Sequence, residues 1–222
     1  MTRMTAYWLC LTVAAAALQN APADPAWSVR AWQSDAGLPD NSVVGIDQTP
    51  DSFLWVATKT GLARFDGVQF REVPVLAEGL QAGVLKALAA DRHGRLWVAI
   101  GRRTVVCLDP GRPVAVFNLE RGRPDAGTGN MVMDGEGAVW VSYLSNTAGG
   151  EVFRIQDGQV RLFTAEDGLP DGGNCELAVA AEGRLWFCRG ARVGVFRDGR
   201  FRLLEPSGVQ RITAVRSGGV WG

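Results

Sequence analysis

Phe53-Leu54-Trp55-Val56, Gly94-Arg95-Leu96-Trp97-Val98, Gly137-Ala138-Val139-Trp140-Val141, Gly183-Arg184-Leu185-Trp186-Phe187 and Gly219-Val220-Trp221 are copies of one short phrase. The Trp residues stand 42, 43, 46 and 35 positions apart. A recurrence of about 43 residues marks a repeat architecture, in which each unit buries its apolar face only against its neighbours. About ten to fifteen residues after each of the first four Trp comes a second phrase: Phe65-Asp66-Gly67, Leu108-Asp109-Pro110-Gly111, Ile155-Gln156-Asp157-Gly158 and Phe196-Arg197-Asp198-Gly199. Asp-Gly between alternating apolar runs is a hairpin signal, because both central positions of that turn need positive φ.

Each unit therefore reads as four short strands, over 43–48, 53–58, 62–65 and 68–73 in the first and 84–89, 96–100, 104–108 and 114–119 in the second. Four antiparallel strands per repeat make a β-propeller blade. The expected fold is all-β, with blades at about 43–75, 84–119, 129–164 and 174–204 and a partial fifth at 209–222. The composition agrees: 28 Gly and 10 Pro in 222 residues punctuate the chain too often for a helical bundle. In such a blade Trp55, Trp97, Trp140, Trp186 and Trp221 are packing residues that fill the wedge between neighbours, each contributing about 2–3 kcal/mol. Asp91 and Asp134, six residues before their Trp, are expected to cap the turn between strands one and two; Thr49 and Ala180 take that position elsewhere.

The segment 29–40, Val-Arg-Ala-Trp-Gln-Ser-Asp-Ala-Gly-Leu-Pro-Asp, recurs in register at 160–171. The later copy is a fourth strand plus the connector into the next blade. By this correspondence residues 27–33 are expected to form an outer latch strand. Four blades, such a strand and a broken blade leave the ring incomplete, so the chain reads as the N-terminal fragment of a longer protein.

Residues 1–23 are expected to be a signal peptide: Arg3, an apolar run over 6–18 too short to span a bilayer, then Ala21-Pro22-Ala23 before Asp24. The mature portion, 24–222, is expected to be periplasmic, without a membrane segment. With 23 basic and 23 acidic residues nothing favours nucleic acid. Cys107, Cys175 and Cys188 form neither a disulfide framework nor a C-x-x-C pair. Cys175 and Cys188 are expected on one face of a hairpin, which leaves a bridge open, with two buried thiols the favoured reading.

The one His, His93, sits in a variable turn on the face opposite the channel mouth where a propeller enzyme gathers its catalytic groups. No catalytic residue, metal site or cofactor is therefore expected. A ligand is expected on the face carrying the loops between strands two and three. These hold Lys59, Arg102, Arg103, Asn146, Arg189 and Arg192, a set suited to an anion or an acidic saccharide. The alternative, that these are ordinary solvated loop residues, also fits the pattern.

Gly37-Leu38-Pro39-Asp40-Asn41-Ser42-Val43, Asp51-Ser52-Phe53-Leu54-Trp55-Val56-Ala57-Thr58 and Gly61-Leu62-Ala63-Arg64-Phe65-Asp66-Gly67-Val68-Gln69-Phe70 resemble the opening of the two-component regulator propeller family. The resemblance covers 27–222 and is weaker in the second unit, where Glu78-Gly79-Leu80-Gln81 lacks the Pro. It implies the periplasmic sensor region of a bacterial hybrid histidine kinase or a diguanylate cyclase. The output domains, absent here, would be its partners, and dimer contacts would be one route for the signal. The expected function is thus an extracytoplasmic ligand-sensing module with no enzymatic activity of its own. The alternative is a secreted propeller enzyme of lyase or lactonase type, or a free carbohydrate-binding protein.

Overall fold

The computed structural model describes residues 29–74, 83–109, 112, 114–119, 127–144, 151–204, 208–209, 211–214 and 220–221. The expected signal peptide and Asn146 lie outside the described residues, as does the 78–81 connector. Among those described there is no α-helix. The first sheet comprises β1 (Val43–Gln48), β2 (Leu54–Thr58), β3 (Leu62–Phe65) and β4 (Phe70–Val73). The second comprises β5 (Leu85–Ala90), β6 (Leu96–Ile100), β7 (Thr104–Leu108) and β8 (Ala115–Asn118). The third comprises β9 (Gly127–Met133), β10 (Val139–Leu144), β11 (Val152–Gln156) and β12 (Gln159–Phe163), and the fourth β13 (Cys175–Val179), β14 (Leu185–Arg189), β15 (Arg192–Arg197) and β16 (Arg200–Leu204). A two-stranded piece pairs β17 (Thr213–Ala214) with β18 (Val220–Trp221). Every four-stranded sheet is an antiparallel meander in sequence order, and the first strands of successive sheets pack on one another. This is a β-propeller arrangement with the first strand of each blade innermost.

The Trp repeat has one structural meaning. Trp55, Trp97, Trp140 and Trp186 hold the same ladder position, opposite Asp47, Ala89, Val132 and Ala178 of the inner strand. Trp97 joins the core cluster shared by the second and third sheets, and Trp140 the cluster shared by the third and fourth. Arg64 and Arg154, opposite Trp55 and Trp140 on the third strand, lie over those rings at 5.9 and 5.4 Å.

In the first and third blades the residue six before the Trp also bonds the indole. Asp134 Oδ1 accepts the Glu136 and Ala138 N–H groups at 3.0 and 2.9 Å, closing the turn, while Oδ2 accepts Trp140 Nε1–H at 2.6 Å. Thr49 Oγ1 accepts Trp55 Nε1–H at 2.9 Å. Ala180 has no side-chain acceptor, and Trp186 Nε1 is buried without a partner. Ala180→Thr, which copies the first sheet, is expected to stabilise the protein by about 1 kcal/mol, raising the midpoint of thermal unfolding by about 2–4 °C. An unchanged or lowered midpoint would show that the fourth turn does not present the hydroxyl as the first does.

The strand expected over 27–33 is not formed by residues 29–33. Among the described residues this segment is irregular backbone up to Gln33. Trp32 instead sets its ring edge-on against Phe65 and Phe70, at 5.5 and 6.4 Å. Phe163 meets Phe196 and Phe201 in the same way, at 5.3 and 5.6 Å. The repeated connector that follows each aromatic is also alike. Ser34–Ala36 and Ala165–Asp167 are single turns of 3-10 helix, closed by Gly37 (φ 95°) and Gly168 (φ 89°). A Cβ on either Gly would stand 2.5 Å from the Phe70 carbonyl oxygen or 2.3 Å from that of Phe201. Gly is required there both for the left-handed backbone and for the close approach. Leu38 and Leu169 then enter the cores of the sheets that follow.

Cys107, Cys175 and Cys188, the cysteines among the described residues, are free and buried. Cys175 pairs across the ladder with Arg189, and Cys188 with Glu176. Neighbours along a strand point to opposite faces, so Cys175 and Cys188 lie on opposite faces of the sheet, correcting the same-face expectation and excluding a bridge. Burial pushes the Cys107 thiol up to about 11 and Cys175 to about 12, so both are unreactive.

Candidate functional site

The loops between second and third strands, with the connectors between sheets, form one face of the molecule. The tight turns form the other. Lys59 and Thr60 make the first loop of the former face, and both are exposed. Lys59 N–H donates to the Ser42 carbonyl at 3.0 Å, and the Lys59 carbonyl accepts Leu85 N–H at 3.0 Å, tying the first blade to the second. Asp40 lies close by, its carboxyl held below the usual range by the Ser42 N–H and hydroxyl, with a smaller contribution from the Lys59 ammonium.

Arg102 is exposed, and its carbonyl accepts the Thr128 hydroxyl of the third blade at 3.4 Å. Arg103 is half-buried and acts electrostatically on Tyr143, whose fully buried hydroxyl has no hydrogen-bond partner and is driven well above its ordinary value by burial. Arg192 is exposed at the start of β15. Arg189, directly opposite Arg192 in the hairpin, is only 3 % exposed and donates Nε–H to the Gly172 carbonyl at 2.9 Å. Its charge counters part of the burial effect on Cys175. Arg189 thus braces the connector before β13. The exposed cations of the loop set are Lys59, Arg102 and Arg192, one in each of three blades.

Polar residues on the inner strands escaped the sequence reading. Asp47 Oδ2 accepts the Ala90 N–H of the second blade at 2.7 Å. Asn130 donates Nδ2–H to the Leu177 carbonyl at 2.7 Å and accepts Leu177 N–H at 3.3 Å, held in place by the Ser142 hydroxyl at 2.7 Å. Glu176 accepts Ile212 N–H at 3.4 Å and pairs with Arg211 at 3.6 Å. Each is a polar residue within a mainly apolar inner strand, and that interruption was the available signal. A cavity of about 390 Å³ opens among these strands, lined by Asp47, Ala89, Met131, Met133, Leu177 and Val179 among others.

Two further cavities lie on the turn face. One, of about 430 Å³, is lined by Arg92, His93, Arg95, Trp97, Phe117 and Glu136 among others. The other, of about 220 Å³, lies against Trp55, Leu96 and Leu108. His93 is exposed in the β5–β6 turn, its Nε2 accepting from Arg92 Nε–H at 3.3 Å. Among the described residues no group of three His, Cys, Asp or Glu side chains is placed to hold a metal ion. No helix there is long and apolar enough to cross a membrane.

The protein is of the β-propeller class. No family model and no curated protein matches it by sequence. Among solved structures it is similar to virginiamycin B lyase from Staphylococcus aureus, with TM-score 0.64 and 16 % identity over 81 % of this chain and 62 % of the lyase. One structure of that lyase is a catalytically inactive His-to-Ala variant with quinupristin. The chain is also similar to the extracellular domain of BT4673 from B. thetaiotaomicron, assigned to a hybrid two component system, with TM-score 0.61 and 18 % identity over 79 % of this chain and 26 % of that domain. The corresponding domain of BT3049 gives TM-score 0.59 and 19 % identity over 82 % of this chain and 27 % of that one. At these identities the likeness is one of fold. The chain spans about three fifths of the length of the lyase and about a quarter of the length of the two extracellular domains.

Proposed function

We propose that the chain is an extracytoplasmic ligand-sensing module of a two-component signalling protein, whose output domain belongs to the full-length parent, and that it is not itself an enzyme. The observation that carries this reading is the connector and blade unit of residues 37–70, whose motifs resemble the two-component regulator propeller family, supported by the chain's fold likeness to two extracellular domains of hybrid two component systems. Ligand contacts at the loop face would bias blade packing or dimer contacts and so shift an equilibrium in the output domain. Export would follow from the apolar N-terminal segment.

A lyase or lactonase is the second reading, favoured by the fold likeness to virginiamycin B lyase and to a protein assigned as a gluconolactonase. Replacing a His inactivates that lyase. This chain has one His, and it sits in a turn beside Arg92. Calorimetry with oligogalacturonides as an acidic-saccharide probe tests the two readings. Saturable binding without turnover is expected, weakened at least about tenfold when Lys59, Arg102 and Arg192 are all replaced by Ala. Turnover of a streptogramin or a lactone by the purified chain would reverse the assignment. Binding that the triple variant leaves intact would remove the loop face as the site.

A further inference from the structure

The second blade breaks a pattern that its neighbours keep. Thr49 and Asp134 accept the indole N–H of Trp55 and Trp140. Asp91, at the matching position, closes its turn in the same manner, accepting His93 and Arg95 N–H at 2.8 and 2.9 Å on Oδ1. Its Oδ2, however, is taken by the Arg95 guanidinium. Trp97 is only 6 % exposed, and its buried Nε1–H has no partner. Ala138 stands where Arg95 does in the third blade, so no side chain competes there for Asp134. The Asp91 carboxyl, raised by burial, is brought below its ordinary value by the Arg95 and His93 contacts, and so is charged at neutral pH.

Arg95 and Trp97 both line the 430 Å³ cavity between the second and third blades, a volume that suits a small molecule. Trp97, Phe117 and Ile155 supply its apolar lining. Two of its acids are already matched, Asp109 to Arg112 at 3.6 Å and Glu136 to Arg154 at 2.8 Å, while Asp157 sits on the exposed outer turn. Arg92, whose Nε–H points to His93, and Arg95 are the cations on the inner rim. Arg95 stacks over the Trp97 ring at 5.7 Å and is partly exposed, so its head group can move into the cavity.

We propose that this cavity binds a small ligand bearing a carboxylate on an apolar body, that Arg95 is the arm that engages it, and that Asp91, once released, accepts the Trp97 indole N–H as Asp134 accepts that of Trp140. The exchange conserves charged contacts: one guanidinium–carboxylate pair replaces another, and the orphaned indole donor gains an acceptor. A neutral ligand lacks the charge to draw Arg95 from Asp91. The site is on the face opposite Lys59, Arg102 and Arg192 and does not depend on the sensing role.

The test follows the indole N–H resonances of the isotope-labelled full chain during titration with benzoate at constant ionic strength, with benzamide as the neutral counterpart. Trp97→Phe identifies the resonance. Benzoate is expected to move it saturably toward the hydrogen-bonded position, and benzamide to leave it in place. Arg95→Gln and Arg95→Ala are each expected to show the bonded position without benzoate and to weaken benzoate binding about tenfold or more. The proposal is overturned by an indole that benzoate does not move, by an equal response to benzamide, or by Arg95 variants whose Trp97 resonance stays at the wild-type position. The Lys59, Arg102 and Arg192 triple variant is expected to retain the full response. Loss of the response in that variant would place the site on the other face.

Discussion

Trp140→Ala is expected to destabilise the protein by about 3–5 kcal/mol, the range for emptying a large aromatic site in a packed core. Trp140 is completely buried. Its ring meets Phe163, Phe196 and Phe201 at centroid distances of 5.1, 4.6 and 6.0 Å, so the cavity would open at the joint of two blades. The indole also occupies Asp134 Oδ2, and removing it leaves a partly buried carboxylate oxygen without its donor. Trp140→Phe would restore most of the packing and none of the hydrogen bond, and should cost about half as much. Trp55, half-buried and set against a smaller cluster, is the internal comparison. Urea unfolding followed by circular dichroism reads all three variants. A Trp140→Ala loss no greater than that of Trp55→Ala would contradict the role assigned to the ring.

Gly168→Ala is expected to cost about 3–4 kcal/mol, because a left-handed backbone and a backbone clash act together. The new methyl would lie 2.3 Å from the Phe201 carbonyl oxygen, an atom of β16 that cannot rotate away. Relief requires the connector to lift off, which withdraws Leu169 from the core of the fourth blade. Gly37→Ala, facing the Phe70 carbonyl at 2.5 Å, repeats the experiment in the first blade. Gly67→Ala is the control: its φ is 98° but no atom lies within 4 Å, so only backbone strain of about 1 kcal/mol applies. Equal losses at Gly168 and Gly67 would show that the approach to Phe201 has no energetic weight.

The fold was legible because its determinants are local. A Trp flanked by apolar residues and an Asp-Gly turn declare strand, turn and period within a dozen residues, and repetition multiplies the signal. Several boundaries shifted by one residue, and the largest shift has an equally local cause. Asp66 Oδ1 accepts the Val68 and Gln69 N–H groups, so β4 opens at Phe70 instead of 68. What escaped depends on register across strands and blades. Cys175 and Cys188 looked like neighbours, yet a shift of one ladder position separates their faces. Asp91 and Asp134 were readable as turn caps, since that bond spans a few residues. The competition between Arg95 and Trp97 for the second oxygen needs the folded turn. Arg189 read as a loop cation because sequence cannot show that Gly172 carries its carbonyl over the guanidinium.

The inner-strand bonds divide the joints between blades into two mechanical kinds. Asp47 grips the backbone of the second blade, and Asn130 grips that of the fourth from the third through two bonds. Gly135 adds a backbone bond to Gly183 at 2.9 Å on the turn face of that second joint. Among the described residues, the joint between the second and third blades shows an extended apolar cluster, with the Thr128 hydroxyl reaching across at 3.4 Å. Directional bonds resist sliding, whereas apolar contact fixes separation far more than position. Under load, the first and second blades would travel as one stiff plate and the third and fourth as another, shearing along the plane that contains Trp97.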